Sequence, residues 1–396
     1  MLLKVSFGRQ PDRERESMDE VSLSDRLGDQ LRRLCEAGGI GTAEPSELLE
    51  SLLGPAGAQP LSAPPRWPSN VADDHTPVEF SIAFSATEPP TVRILGETLG
   101  APPGRSTNML ATQRFLDTQA HRAGLSTSRL DSVRDLFTTD DPQGAFALWC
   151  SLVFRSGRRP EFKVYLNPEL RGVDRAPGLI SEALHRLGLG RSYRAMLDHG
   201  IRPGELGHQD RLTFFALDLH DDAQARVKVY LTHHDAGVPD VLRAAGVADG
   251  VDTTRLAEFA TLAGGGRTRF TGLPLVGSYT LVEGADRPVG YSLYVPIRGY
   301  VDDDEEAYDR VVAVLDRYGF GRTVLDRALA AVARRPLRDG VGLIPHLSLR
   351  LGAPRPGVTV YLSAEAYQVT PPVRRPVTVD RTALATPTGR AGAGHP

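Results

Sequence analysis

The chain is poor in cysteine, poor in lysine and without a long apolar run. Cys35 and Cys150 are the only cysteines in 396 residues. They are too few for a disulfide framework and lack metal-site spacing. No apolar stretch approaches the roughly 18–20 residues that cross a bilayer. Met1 to Glu20 carries charges throughout in place of an apolar signal core, so a reducing, cytoplasmic setting is expected. Neither sign of charge dominates: 46 basic residues stand against 49 acidic ones, for a net of −3. That balance argues against a dedicated nucleic-acid binder or a polybasic membrane-surface protein. Hydrophobic residues make up 41 % of the chain, enough for a core and too many for wholesale disorder.

The scarcity of lysine makes the few that exist informative. Only Lys4, Lys163 and Lys228 occur, while the other 43 basic residues are arginine. Two of the three lie in one repeated tetrapeptide, Lys163-Val164-Tyr165-Leu166 and Lys228-Val229-Tyr230-Leu231. Related strings follow at Ser292-Leu293-Tyr294-Val295 and Thr359-Val360-Tyr361-Leu362, so the tyrosines recur at intervals of 65, 64 and 67 residues. Thr91-Val92-Arg93-Ile94-Leu95 reads as a fifth copy with arginine at the key position. A fixed period marks a repeated supersecondary unit.

Each string ends a hairpin pattern of β-branched and aromatic residues around Gly, Pro or Asp. The expected hairpins are Val78–Phe84 with Thr91–Leu95, Ala145–Phe154 with Phe162–Leu166, and Leu212–Leu219 with Arg226–Leu231. Ser278–Val282 with Tyr291–Val295 and His346–Leu351 with Val358–Leu362 complete the set. Two helical stretches precede each hairpin: Asp25–Ala37 and Ser46–Leu53, Thr107–Ala123 and Ser128–Phe137, Gly178–Leu187 and Ser192–His199, Pro239–Ala245 and Thr253–Leu262, Asp304–Tyr318 and Thr323–Arg334. The unit is α-α-β-β, five times. Ten antiparallel strands can close into a barrel and lose their edges, with the helices as an outer ring. A row of small α+β modules is the alternative. One domain over 21–370 is expected, with disordered tails at 1–20 and 371–396.

Side chains alternate faces along a strand. Val92/Ile94, Val164/Leu166, Val227/Val229, Leu293/Val295 and Val360/Leu362 should pack on the helices. The opposite face carries Arg93, Lys163/Tyr165/Asn167, Arg226/Lys228/Tyr230, Ser292/Tyr294 and Thr359/Tyr361/Ser363. First strands add Glu79/Ser81, Arg211/Thr213, Ser278/Thr280 and His346/Ser348/Arg350. A closed barrel would then have a cationic, phenol-ringed interior. Such a core is costly if dry. A solvated chamber that binds an anion resolves the conflict, and ten strands leave room for one.

Pro77-Val78-Glu79-Phe80-Ser81, Arg93, Lys163-x-Tyr165, Arg226-x-Lys228-x-Tyr230 and Leu293-Tyr294-Val295-Pro296 together resemble the aromatic prenyltransferases of the dimethylallyltryptophan synthase family, nearer the bacterial than the fungal members. The resemblance spans roughly 70–367. It implies the ABBA barrel of ten antiparallel strands, dimethylallyl diphosphate and an aromatic acceptor as substrates, and no metal or other cofactor. It implies that Arg93, Lys163, Arg226 and Lys228 bind the diphosphate. Tyr165, Tyr230, Tyr294 and Tyr361 would shield an allylic cation, Glu79 would hold the indole N–H, and Arg211 the tryptophan carboxylate. Ala145–Phe154 lacks the lysine of relatives that alkylate carbon 4, and Ser292 stands where many carry glutamine. The benzene-ring carbons 5 to 7 of L-tryptophan, with 6 favoured, are therefore expected. A tryptophan-containing cyclic dipeptide or a phenol is the alternative acceptor, and a non-catalytic barrel for a phosphorylated ligand the alternative class.

Asp302-Asp303-Asp304-Glu305-Glu306 looks like a magnesium motif but precedes a helical pattern, where acidic residues suit the helix dipole. His233-His234-Asp235 reads as a turn without a third ligand. His346 reads as a satisfied interior polar residue.

Overall fold

A computed structural model describes residues 21–222, 225–353 and 356–373. Of the expected tails 1–20 and 371–396, residues 1–20 and 374–396 lie outside the described residues, while 371–373 are placed, the Val373 amide donating to the Asp302 carbonyl at 2.8 Å. Ten strands form the barrel: β1 (Val78–Ser85), β2 (Glu88–Gly96), β3 (Leu148–Phe154), β4 (Glu161–Leu166), β5 (Asp210–Asp218), β6 (Val227–His233), β7 (Leu275–Leu281), β8 (Gly290–Val295), β9 (Leu347–Gly352) and β10 (Gly357–Ser363). The sheet closes in the order β1-β10-β9-β8-β7-β6-β5-β4-β3-β2, every pair antiparallel.

Two helices precede each hairpin: α1 (Leu23–Ala37) and α2 (Ala43–Leu53), α3 (Arg105–Ala123) and α4 (Ser128–Asp131), α5 (Ala176–Arg186) and α6 (Gly190–Gly200), α7 (Val238–Ala245) and α8 (Thr253–Ala263), α9 (Asp304–Arg317) and α10 (Thr323–Val332). The caps follow from the sequence. Ser22 and Asp25 form a capping box on α1, and Asp252 accepts the Thr254 and Arg255 amides on α8. The apolar strand faces pack where parity puts them: Phe80, Ile82, Val164, Val229, Leu293 and Val360 are fully buried in one core that includes Leu31, Ile180, Phe259 and Leu315 of the helices.

Four details differ from expectation. Ser128–Phe137 is not one helix: α4 stops at Asp131 and a 3-10 turn covers Arg134–Phe137. The Ser132 hydroxyl donates to the Arg129 carbonyl, competing for a helical acceptor. In the first hairpin β2 begins at Glu88, so Pro89 and Pro90 lie in the strand. They sit beside a register shift, where proline costs no ladder bond. Ala236–Gly237 and Arg269–Phe270 add a two-stranded sheet too short to read from pattern. In β5 a register shift between Leu212 and Phe214 leaves Thr213 as a bulge, which turns Phe214 to the lumen in place of Phe215.

Closure is fastened where the first and last repeats meet. Gln30 of α1 donates to the carbonyls of Val332 and Ala364, both at 3.0 Å. Asp304, fully buried at the start of α9, accepts from the amides of Gly342, Leu343 and Ile344, each at 3.1 Å, and from Arg335 at 2.5 Å. Asp303 is the N-cap, bonded to the Glu306 amide at 2.9 Å. The acidic run is thus a helix start and a fastening. We expect Asp304→Ala to destabilise the fold by about 3–5 kcal/mol, because Arg335 and three amides lose a buried anion. Asp303→Asn keeps a capping oxygen and should stay within about 0.5 kcal/mol of wild type. Denaturant melts of the two variants would separate them.

Candidate active site

The repeated tetrapeptides place the lumen's chemistry in tiers. β4 and β6 each carry lysine and tyrosine two residues apart, hence on one face. Tyr165, Tyr230, Tyr294 and Tyr361 form an arc with successive ring centroids 5.9, 5.8 and 6.0 Å apart. The arc lies between two cavities.

Toward the hairpin turns lies a charged cavity of about 460 Å³, lined by Arg93, Arg226, Arg350, Arg155 and Asp218. Lys163 and Lys228 are buried between it and the phenols. Asp218 bridges two cations: Lys163 Nζ lies 2.6 Å and Arg226 Nε 2.6 Å from its carboxylate. Burial opposes that charge, yet Lys163 and Arg226 hold the Asp218 carboxyl well below the usual range. Among the described residues Lys228 Nζ donates to hydroxyls, Ser278 at 3.2 Å and Ser292 at 3.3 Å, and lies 5.8 Å from the Tyr230 ring centroid. Burial and the neighbouring Lys163, Arg350, Arg226 and Arg93 depress Lys228 well below an ordinary lysine. Burial brings Lys163 down to about 8 and, with Arg93 and Arg226, Arg350 to about 9. Glu88, Glu161 and Asp222 also line the cavity, Glu161 paired with Arg155 and Glu88 with Arg158, and among the described residues the cations still outnumber the carboxylates.

Toward the other end lies an aromatic cavity of about 180 Å³, lined by the four tyrosines with Glu79, Trp149, Phe214 and His346. Phe146 backs the wall, stacked on Trp149 at 4.2 Å and on Phe214 at 5.3 Å. Burial raises Glu79 to about 8, with Arg298 lowering it and Asp73 adding to the rise. Arg298 donates to Asp73 at 3.0 Å and lies 3.0 Å from His346 Nε2. Burial, then Arg298, keeps His346 neutral. Exposed Asn70 marks the rim, its amide donating to the Ala145 carbonyl at 2.7 Å.

The structure therefore brings Glu79, Arg93, Lys163, Tyr165, Arg226, Lys228, Tyr230, Tyr294 and Tyr361 to one lumen. Arg211 sits apart, at the rim. Its Nε and Nη2 donate to Glu169 at 2.8 and 2.6 Å. Sequence reasoning missed Asp218, Trp149 and Phe214. His233 is corrected: it ends β6, fully buried, with Nδ1 2.8 Å from Asp210, and is not in a turn. Tyr367 packs against the core. Among the described residues no group of three His, Cys, Asp or Glu side chains is placed to hold a metal ion.

A closed ten-stranded barrel ringed by helices, with a cationic chamber against an arc of phenols, defines an ABBA-type aromatic prenyltransferase. The chain belongs to the tryptophan dimethylallyltransferase family, whose model matches residues 46–327. It is similar to a structure described as 6-dimethylallyl tryptophan synthase, with 72 % identity over 90 % of this chain and 99 % of that one, at a TM-score of 0.87. It is equally similar to 6-dimethylallyltryptophan synthase from Micromonospora olivasterospora in complex with DMASPP and Trp, with 73 % identity, 89 % and 100 % coverage and a TM-score of 0.87. The prenyltransferase PriB, in ternary complex with L-tryptophan and dimethylallyl thiolodiphosphate, is 41 % identical over 90 % of this chain and 99 % of that one, with a TM-score of 0.83.

An anion entering the charged cavity should pull protons onto lysines that burial has discharged. At pH 8.5, above the value of about 8 for Lys163, binding of inorganic diphosphate should take up protons and should weaken as pH rises further. Calorimetry in two buffers of different ionisation enthalpy measures the uptake. Heats independent of buffer would contradict it.

Proposed function

We propose that the enzyme transfers the dimethylallyl group of dimethylallyl diphosphate to carbon 6 of the indole of L-tryptophan. The observation that carries this reading is the tiered lumen: cations on one side, four phenols between, and Glu79 in the aromatic cavity. Relatives 72 % and 73 % identical bear the 6-position in their names. β3, Leu148–Phe154, offers no lysine near carbon 4. A mere storage barrel for a phosphorylated ligand would need neither Glu79 nor the phenols.

In this reading Arg93, Lys163, Arg226, Lys228 and Arg350 take the diphosphate oxygens through charge-assisted hydrogen bonds. The allylic C–O bond breaks and the electron pair leaves with diphosphate. The cations are preorganised for that developing charge. The tyrosine faces stabilise the allylic cation by about 0.5–2 kcal/mol each. Indole carbon 6 donates its π electrons to form the C–C bond, and the proton on that carbon is lost to restore aromaticity. Glu79 accepts the indole N–H bond, which strengthens as the ring becomes positive, so binding favours the transition state over the ground state. Trp149 and Phe214 wall the acceptor, and Arg211 meets its carboxylate. Catalysis without a metal follows, because protein cations neutralise the leaving group and Asp303 and Asp304 are committed to the start of α9. A single domain over 21–370, working in the cytoplasm on small molecules without nucleic acid or membrane, completes the reading. No helix among the described residues is long and apolar enough to cross a membrane.

Mass spectrometry and NMR of the product formed from dimethylallyl diphosphate and L-tryptophan test the reaction and its position; alkylation at another ring carbon would refute the assignment to carbon 6. Chelation should leave most activity, whereas complete loss restored by magnesium would refute the metal-free reading. Lys163→Ala and Arg226→Ala should each lower turnover by roughly 10²–10³. Glu79→Gln should lower turnover by about one to two decades, the worth of a charge-assisted bond, with the donor KM little changed. Below about 8 the Glu79 carboxyl is protonated in the empty cavity, so kcat/KM for tryptophan should climb as pH rises toward that value. The glutamine variant should lose this limb.

A further inference from the structure

We propose that Glu169 receives the α-ammonium of the acceptor, so that the Arg211–Glu169 pair reads a free amino acid as a zwitterion. The inference rests on the tryptophan prenyltransferase reading above and names the acceptor class it admits. Arg211 stands opposite Thr232, and Thr232 follows Tyr230 by two residues on the lumen face of β6. The pair therefore lies one tier outside the aromatic cavity, roughly 7 Å along the strand from the Tyr230 level. Val276, opposite Thr232 on β7, lines the aromatic cavity at this level, and further in Phe214, opposite Tyr230, meets Tyr165 edge to face at 6.4 Å. An indole in the aromatic cavity with its C3 side chain turned to this rim would bring its Cα, one methylene from the ring, and the ammonium and carboxylate on it toward the pair.

The pair is asymmetric in the way a zwitterion requires. The Arg211 side chain is 39 % exposed, while that of Glu169 is 9 % exposed. Arg211 commits Nε and Nη2 to Glu169, which leaves the Nη1 edge of its planar fork for an incoming carboxylate. Each Glu169 oxygen keeps a second lone pair for an ammonium. An amino acid laid head to tail against the ion pair gives every charge two opposite neighbours. Nearby His234 is held toward the neutral form by burial, then by Arg211 and Arg202, with Asp210 and Glu169 acting the other way. A cyclic dipeptide presents amides without charge, so it would desolvate the pair without compensation. Glu169 is in this sense a specificity-determining residue.

The test compares L-tryptophan, tryptamine and indole-3-propionate at saturating dimethylallyl diphosphate. Relative to wild type, Glu169→Gln should raise KM roughly 10–100-fold for L-tryptophan and tryptamine, and leave indole-3-propionate unchanged or improved. Arg211→Met should show the converse pattern, sparing tryptamine. Donor KM should not move in either variant. Equal losses on L-tryptophan and indole-3-propionate, or no loss on L-tryptophan, would overturn the proposal. If the variants do not fold, the wild type still decides: tryptamine should bind more tightly than 3-methylindole, and equal affinities would overturn it. Wild-type inactivity on L-tryptophan would instead refute the underlying enzymatic reading.

Discussion

Buried positive charge without enough buried negative charge is the constraint on which this molecule is organised. Arg93, Lys163, Arg226, Lys228 and Arg350 converge inside a barrel, and Asp218 is the carboxylate set between two of them. A cation taken out of water is expensive unless it is paired and hydrogen-bonded. The fold meets that cost in part through Asp218 and the Ser278 and Ser292 hydroxyls, and in part by keeping the chamber open toward the hairpin turns. The remaining imbalance is what an anionic leaving group would cancel. In the proposed reaction, binding and catalysis would draw on the same stored electrostatic free energy, already oriented before substrate arrives.

That imbalance explains why the scaffold must be a closed barrel fastened at its ends. Side chains from β2, β4, β6 and β9 can point at one small volume only if the sheet curls completely. Curling in turn demands a continuous apolar layer outside it, supplied by Phe80, Ile82, Val164, Val229, Leu293 and Val360 against the helices. Gln30 ties the first helix to the end of α10 and to the segment after β10, and Asp304 ties the start of α9 to Arg335 and to the segment before β9, so the repelling cations are held by distant contacts as well as by their own partners. Stability is located in the outer layer and function in the inner one. Strand alternation lets one sequence serve both.

Much of this was legible because period and parity are simple. The tyrosine intervals of 65, 64 and 67 residues disclosed four equivalent hairpins and the string at Thr91–Leu95 a fifth, and alternation then assigned Arg93, Lys163, Arg226, Lys228, Arg350 and the four phenols to the lumen. What escaped reading has physical causes. An unbroken alternation from Arg211 would send Phe215 and Leu217 inward. The bulge at Thr213 reverses the faces, and Phe214 and Asp218 become lumenal instead. Local composition does not announce such a bulge. Trp149 escaped for another reason. Leu148–Phe154 is buried on both faces, so no polar alternation distinguishes inside from outside. The Arg211–Glu169 pair joins residues 42 positions apart, beyond the reach of any local pattern.

The tiers also explain how a reactive cation could survive beside so many nucleophiles. In the proposed reaction the diphosphate would draw protons onto the lysines of the charged cavity, and the resulting cations would hold the departing anion and repel the carbocation. The tyrosine tier would shield the reacting centre in that reaction, and burial raises the phenols of Tyr165, Tyr230 and Tyr361 so that none is a phenolate. Glu79 is the carboxylic acid of the aromatic cavity, and its burial disfavours the naked anion there. Its charge becomes favourable only when an acceptor N–H and a neighbouring cation are both present. On the proposed role of Glu79, the same desolvation that disfavours its charge in the empty enzyme would make its interaction strongest at the moment of attack. A carboxylate left fully solvated would lack that selectivity, because water would already have compensated its charge before the acceptor arrived.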